Sequence, residues 1–220
     1  MEINTARIGG SFLFFTLGLV SHLTGSPMHD EASPINGLTN QSQSLMDTIT
    51  LGAGCFWCIE AIFEGVEGVE SAVSGYMGGS IKNPSYREVC TGNTGHAEVV
   101  QVVYNPDILD LNTLLDVFFA THDPTTMNRQ GGDIGTQYRS AIFYHSENQR
   151  QIALDAVARS QSDWDRPIVT QIETTSHLYI AEDYHQAYFE LNGEAPYCQS
   201  VIAPKVRKMR SSFLHLLKNR

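Results

Sequence analysis

The segment that most constrains the fold is a β-prone run, a glycine turn and a helical segment in direct succession. Thr48–Leu51 is β-prone, Gly52-Ala53-Gly54 breaks the run, and apolar residues recur at helical spacing from Cys55 to Phe63. A strand that enters a helix through a short turn packs that helix back onto its own sheet. Cys55 is therefore predicted at the first turn of a helix that covers a sheet.

Further β-prone and helical segments follow, without strict alternation and without an internal repeat. The remaining predicted elements are strands at 69–76, 98–104, 139–144 and 168–174, and helices at 111–119, 146–162 and 182–191. The order from Thr48 onward is β-α-β-β-α-β. This order predicts an α+β fold, a two-layer sandwich with a mixed β-sheet and a ferredoxin-like (split βαβ) core.

The N-terminal part of the chain differs in composition from the rest. Arg7 precedes the mostly apolar run Ile8–Val20, so residues 1–21 are predicted to be a signal peptide or a membrane anchor. Residues 22–45 are rich in Ser, Asn, Gly and Pro and are predicted to be a flexible linker. The expected localisation is export to the periplasm or beyond, or anchoring by an uncleaved segment. The cytoplasm is the alternative.

The remainder is predicted to be one domain, 46–204, and a basic C-terminal tail, 205–220. A chain of 220 residues that is 42% hydrophobic has room for one core but hardly for two full domains. The formal net charge of −10 argues against a nucleic-acid partner, because a phosphate backbone calls for a positive surface. A monomer is expected.

Cysteine chemistry is the strongest local indication of function. The chain has four cysteines, at Cys55, Cys58, Cys90 and Cys198. Four are too few for a disulfide framework. At a helix N-terminus Cys55 faces the positive end of the dipole, which favours its thiolate, although a lone cysteine is more often a buried apolar residue. The neighbouring Phe56 and Trp57 are either core aromatics or the walls of a small apolar pocket.

Four separated stretches carry a more specific pattern. They are Gly54-Cys-Phe-Trp-Cys-Ile-Glu60, Tyr86–Glu98, Gly132–Ser140 and Asp183–Gln186. In content and in order they resemble the A-type peptide methionine sulfoxide reductases, and the resemblance covers roughly 46–204. It implies an oxidoreductase that reduces methionine S-sulfoxide, in proteins and also as the free amino acid, and so repairs oxidised proteins.

The resemblance implies a role for each matching residue at the reacting atoms. Cys55 is the nucleophile that attacks the sulfoxide sulfur. Glu98 is the acid, which burial must keep protonated at neutral pH. Tyr86 and Tyr138 donate hydrogen bonds to the substrate oxygen. Without the motifs, an exposed strand carboxylate is the preferred interpretation of Glu98, and the two tyrosines are ordinary packing residues.

The resemblance also implies a substrate pocket. Phe56 and Trp57 are the walls that hold the substrate methyl group, and Asp133 positions the substrate from a glycine-rich loop. Asp133 is otherwise a natural turn residue beside Gly132. His96 and His185 are expected to make structural hydrogen bonds. No metal and no organic cofactor are expected.

After the reduction Cys55 is left as a sulfenic acid, which condenses with a second thiol to a disulfide. Cys198 is the predicted resolving thiol, and its loop is expected to be mobile. Cys58 is the alternative, since it is able to pair with Cys55, to relay the disulfide or simply to pack. Cys90 is expected to be a buried thiol. The resemblance implies thioredoxin or a thioredoxin-like reductant as the partner that restores the thiols.

Two other functions fit parts of the pattern. Cys55 and Cys58 form the C-x-x-C of a thiol–disulfide oxidoreductase, but Phe-Trp between them is unlike thioredoxin-type motifs. Alternatively, a structural zinc ion would take Cys55, Cys58, Cys90 and His96 as ligands. The spacing to Cys90 and His96 is not that of a compact zinc finger.

Overall fold

The computed structural model describes residues 45–218. Its strands are β1 (Asp47–Ala53), β2 (Val69–Met77), β3 (Ala97–Tyr104), β4 (Arg129–Gln130), β5 (Asp133–Ile134), β6 (Ser140–Tyr144), β7 (Gln171–Thr174) and β8 (Tyr179–Ile180). Its α-helices are α1 (Phe56–Phe63), α2 (Tyr86–Cys90), α3 (Leu111–Thr121), α4 (Glu147–Ser160), α5 (Tyr188–Leu191) and α6 (Ala203–Ser212). Short 3₁₀ turns lie at Thr136–Tyr138, Gln161–Asp163, Asp183–His185 and Leu214–Leu216, and a π-helical turn at Cys198–Ile202.

Within this described part, one mixed sheet has the strand order β7-β6-β1-β3-β2-β8. Neighbouring strands are antiparallel except β6 and β7, which are parallel. β3 lies between β1 and β2, the two strands that α1 connects. This is the split βαβ arrangement. The predicted α+β fold with a mixed sheet is confirmed.

Alternation along β3 decides which of its residues face the helices. Val100 and Val102 are fully buried in the larger core cluster, which includes α1, α3 and α4. A smaller cluster of buried residues consists of Met77, Ala97, Val99, Ala141 and Phe143. Because successive side chains of a strand point to opposite faces, Glu98 shares the face of Val100 and lies on the α1 side of the sheet.

Side-chain caps fix the starts of α2 and α4. Ser85 and Glu88 form a reciprocal capping box at the start of α2, which begins with Tyr86. Ser146 accepts the N–H of Gln149 at the start of α4. Each cap satisfies backbone N–H groups that have no partner inside the helix.

The helix predicted at 182–191 is interrupted in the structure. Ala187 has a left-handed φ of 50°, which separates a 3₁₀ turn at Asp183–His185 from α5. The Gln186 side chain accepts the Ser74 N–H at 3.0 Å and donates to the Ser74 carbonyl at 3.0 Å. These bonds hold Gln186 against β2. Because of them and of the left-handed Ala187, residues 182–191 do not form one continuous helix. Between the helix predicted at 111–119 and the strand predicted at 139–144, where no element was predicted, lie the β4–β5 hairpin and a 3₁₀ turn.

The predicted signal or anchor segment, 1–21, lies outside the described residues, as does the linker apart from residue 45. Between residues 45 and 218, no helix is long and apolar enough to cross a membrane. α6 spans the predicted boundary between the domain and the basic tail, and its Met209 is buried. The domain limits stay predictions.

Candidate active site

Cys55 follows a turn in which the chain passes close to β4. Gly54 has a φ of +88°, and a Cβ on it would lie 2.6 Å from the Gln130 Cβ. A side chain there would therefore clash, and glycine also tolerates the left-handed conformation. Cys55 follows as the N-cap residue of α1, with 7% of its surface exposed.

Glu98 is the carboxyl group that the fold brings to this helix start. It is 1% exposed, and its Oε2 accepts the Phe56 N–H at 3.1 Å. Burial raises the pKa of Glu98 to about 8; the hydrogen bond from Phe56 opposes the rise, and the charges of Asp133 and Cys58 add to it. At neutral pH the carboxyl group is therefore largely protonated and able to donate a proton.

The protonation of Cys55 differs from the sequence prediction. Its hydrogen bond to Cys58, its burial and the negative charge of Glu98 raise the pKa of Cys55 well above its ordinary value, against a lowering contact from Tyr197. The prediction that the helix N-terminus favours the Cys55 thiolate is thus wrong for this state of the protein. Desolvation and neighbouring groups outweigh the helix dipole at a buried thiol.

Aromatic rings enclose the space beside Cys55. Phe56 is buried, and its ring centroid lies 5.0 Å from that of His185. Trp57 stacks on Tyr188 with centroids 3.7 Å apart and meets Tyr197 edge-on at 5.9 Å. The two residues predicted as walls of an apolar pocket thus lie in one aromatic cluster.

Tyr86 and Tyr138 lie near Glu98, and the Tyr86 ring stacks on Phe56 with centroids 6.4 Å apart. Burial, together with the charge of Glu98, raises the pKa of both hydroxyl groups, so both remain protonated donors. Tyr138 is also close enough to Cys55 to feel its charge. Glu182 accepts the Tyr86 N–H at 2.9 Å and the Tyr76 hydroxyl at 2.8 Å. Glu182 therefore fixes the start of α2, a role that the sequence analysis missed.

Asp133 is linked to the same site by Tyr197. The Tyr197 hydroxyl donates to Asp133 Oδ2 at 2.8 Å and also contacts the Cys55 sulfur. Tyr197 was not among the site residues predicted from the sequence, although it stands directly before Cys198. The structure thus places all of the predicted site residues except Cys198 around one thiol–carboxyl pair.

Removing the Tyr197 hydroxyl is expected to weaken this link. In Tyr197→Phe, Asp133 loses a donor, and we expect the free energy of unfolding to fall by about 1 kcal/mol. Loss of the contact that lowers the Cys55 pKa should also reduce kcat/KM several-fold at neutral pH. Urea unfolding and steady-state kinetics measure the two effects. Tyr188→Phe, which keeps the ring stacked on Trp57, is the matched control, and equal losses in both variants would contradict the expectation.

The four cysteines are all free thiols and occupy different environments. Cys58 is 1% exposed and shares a hydrogen bond with Cys55. Cys198 is 0% exposed and opens the π-helical turn, whereas a mobile loop was predicted there. Cys90 is exposed, so the prediction of a buried thiol is wrong. Val89 takes the buried position of α2, and the next residue, Cys90, forms a hydrogen bond with the Tyr86 side chain.

The histidines in the motifs have structural partners. The His96 ring accepts the Gly79 N–H at 3.0 Å through Nδ1 and lies 2.7 Å from the Ile81 carbonyl oxygen through Nε2. His185 Nδ1 accepts the Trp57 indole N–H at 3.2 Å. Among residues 45–218, no group of three or more His, Cys, Asp or Glu is placed to hold a metal ion.

Comparison with known proteins shows the family to which this chain belongs. A family model described as peptide methionine sulfoxide reductase matches residues 47–216, and this range contains every element of the site. The chain belongs to the peptide methionine sulfoxide reductase family. It is accordingly an enzyme, an oxidoreductase, as the sequence motifs predict.

Individual members of this family are similar in sequence to this chain over most of its length. A peptide methionine sulfoxide reductase MsrA of Chromobacterium violaceum is 53% identical over 176 residues, which is 79% of this chain and 100% of the relative. The MsrA 1 of Rhodopirellula baltica is 53% identical over 167 residues, which is 76% of this chain and 87% of the relative.

Solved structures of peptide methionine sulfoxide reductases have the same fold. Reduced Mxr1 of Saccharomyces cerevisiae is 38% identical with a TM-score of 0.65, covering 70% of this chain and 89% of its own. Methionine sulfoxide reductase A of Corynebacterium diphtheriae is 37% identical with a TM-score of 0.66, covering 70% of this chain and 78% of its own.

Proposed function

We propose that this protein reduces methionine S-sulfoxide, in proteins and as the free amino acid, to methionine, with Cys55 as the attacking thiol. The observation that carries the proposal is the pairing of a buried thiol with a buried carboxyl group whose pKa is raised to about 8. A soft sulfur nucleophile beside a protonated acid is what reduction of a sulfoxide requires. Membership of the family supports the same reaction.

The reductive step needs no net proton. Cys55 attacks the sulfoxide sulfur, Glu98 gives its proton to the sulfoxide oxygen, and the thiol proton restores Glu98. The attack joins the Cys55 sulfur to the substrate sulfur. The protonated oxygen then moves to the Cys55 sulfur as the substrate sulfur loses its bonds to both the oxygen and Cys55, so that methionine leaves and Cys55 becomes a sulfenic acid. Tyr86 and Tyr138, whose hydroxyl groups stay protonated, donate to the oxygen as its charge develops.

The aromatic cluster supports selection of the methyl sulfoxide. Phe56 and Trp57 would hold the substrate methyl group against their faces, and Asp133, oriented by Tyr197, would position the rest of the substrate. Because such a pocket accepts the methyl group on one side only, it would distinguish the two sulfoxide epimers.

The sulfenic acid then condenses with a second thiol, Cys198 or Cys58, and water leaves. An external dithiol reduces the resulting disulfide, and thioredoxin or a thioredoxin-like protein is the proposed partner. The protein is proposed to act as a monomer.

Single-turnover reduction of the two separate sulfoxide epimers by the pre-reduced protein tests this function. We expect methionine from the S epimer alone, with two thiols lost for each methionine formed. If neither epimer is reduced, the proposal is wrong. Insulin-disulfide reduction would then test the alternative, a thiol–disulfide oxidoreductase acting through the adjacent Cys55 and Cys58.

Localisation is proposed from the sequence of the first 21 residues alone. Export or membrane anchoring is the favoured outcome, and the cytoplasm is the alternative. Fractionation of the producing cells, with the mass of the mature chain, tests this. Recovery of the full-length chain only in the cytoplasm would contradict export.

A further inference from the structure

Gln130 joins the two segments that carry Cys55 and Asp133. It is the second residue of β4, it is 7% exposed, and it pairs with Asp133 across the β4–β5 hairpin. Its Cβ and Cγ approach the Gly54 backbone so closely that a Cβ on Gly54 would lie 2.6 and 2.7 Å from them. Gly54 directly precedes Cys55. The aliphatic part of this one side chain is therefore packed against the turn that presents the thiol.

The amide end of Gln130 is held by a third segment of the chain. Its Oε1 accepts the Asp123 N–H at 3.1 Å, and its Nε2 donates to the Asp123 carbonyl at 3.0 Å. One side chain thus satisfies both backbone groups of one residue, as a neighbouring strand would. The reverse orientation of the amide would set donor against donor and acceptor against acceptor, so these two bonds fix the side chain in one orientation.

Asp123 is itself anchored through its carboxylate. Its Oδ1 accepts the Thr125 N–H at 2.8 Å and the Thr125 hydroxyl at 2.6 Å, and its Oδ2 accepts a hydrogen bond from the Arg166 guanidinium at 3.1 Å. β4 and β5 have only two residues each, and so short a ladder contributes little stability by itself. The Gln130 amide therefore attaches the hairpin, and Asp133 with it, to the anchored segment that follows α3.

We propose that Gln130 is a positioning residue that holds the hairpin carrying Asp133 in place beside the Cys55 turn, and so sets the fit of the amino-acid part of the substrate. The inference rests on the proposed function, in which Asp133 positions the part of the substrate beyond the methyl sulfoxide. The carbon chain of Gln130 supports the thiol turn, whereas its amide supports the hairpin. Loss of the amide alone should therefore slow substrates that reach Asp133 and spare a methyl sulfoxide that is too small to do so.

Gln130→Met separates the two contributions, because methionine keeps an unbranched side chain against Gly54 and loses both hydrogen bonds to Asp123. With dithiothreitol as the reductant, we expect kcat/KM to fall about tenfold for N-acetylmethionine S-sulfoxide amide and to stay within about twofold for dimethyl sulfoxide. Gln149→Met is the matched control, since Gln149 is also a buried glutamine that accepts one backbone N–H and donates to one backbone carbonyl, but it lies in α4. An unchanged kcat/KM for the amide, equal losses with both substrates, or the same difference in Gln149→Met would overturn the inference.

Gln130→Glu provides a second test through its pH profile. A protonated carboxyl group offers one acceptor and one donor, as the glutamine amide does, whereas an ionised one is an acceptor only and faces the Asp123 carbonyl oxygen. We expect kcat/KM for the amide substrate, divided by the wild-type value at the same pH, to be near one at acidic pH and to decline as the pH rises. The decline should be absent with dimethyl sulfoxide, because a new charge acting on the Cys55 thiol would slow both substrates. A ratio that is independent of pH would overturn the inference, and a wild-type protein that reduces neither substrate would instead refute the proposed function.

Discussion

Cys55→Ser is expected to form no methionine from methionine sulfoxide, even in a single turnover. A serine hydroxyl is a far weaker nucleophile than a thiol. Its product would also have to carry an oxygen–oxygen bond in place of a sulfenic acid. Amino-acid analysis of the quenched reaction, with the thiol count before and after, measures the loss.

The same substitution should leave the fold intact, and so the loss of activity is interpretable. Cys55 is the N-cap residue of α1, and serine is among the preferred residues at that position. We therefore expect the midpoint of urea unfolding to stay the same or to rise slightly. If a folded Cys55→Ser protein still produced methionine, the attacking thiol would have to be another cysteine, and Cys58 is the nearest.

The local part of the site could be predicted from the sequence because it depends on short-range patterns. The β-prone run, the glycine turn and the helical spacing that follows place Cys55 at the start of α1. The four motifs then carry Glu98, Tyr86, Tyr138 and Asp133, and the structure brings all of them to Cys55. The order of strands and helices likewise sufficed for the split βαβ core.

The residues that were missed reach the site from distant parts of the chain. Tyr197 binds Asp133 across 64 positions, and Glu182 binds the Tyr86 N–H across 96 positions. Lys205 was predicted to belong to a basic tail, because its charge was visible in the sequence whereas its half-buried place in α6 was not. Contacts of this kind depend on how α6 and the preceding π-helical turn pack, which no local pattern determines.

Two cysteine predictions failed for a related reason. The expected thiolate of Cys55 relied on the helix dipole alone, and the structure adds burial, Cys58 and Glu98. Cys90 was expected to be buried as most cysteines are, yet it lies on the exposed side of the one-turn helix α2. The tertiary surroundings, and not the local sequence, determine the protonation of Cys55 and the exposure of Cys90.

Glu98→Gln is expected to slow the reductive step by about 10²–10⁴-fold, the usual contribution of a positioned general acid. Glutamine keeps the shape of the side chain, and its amide oxygen is still able to accept the Phe56 N–H. It has no acidic proton to give to the sulfoxide oxygen. Rapid-quench measurement of methionine in a single turnover isolates this step from disulfide formation and recycling.

The pH dependence of the two proteins distinguishes a lost acid from a damaged site. The pKa of Glu98 is raised from its ordinary 4.5 to about 8, so the protonated form, and with it the wild-type reductive rate, should decline as the pH rises through about 8. The folded wild-type protein binds this proton more tightly than the unfolded chain. Its stability should therefore decrease as the pH rises from about 4.5 to about 8. Glu98→Gln should lack both effects. If Glu98→Gln reacted at near-normal single-turnover rates, or if its reductive rate showed the same decline at alkaline pH, Glu98 would not be the acid.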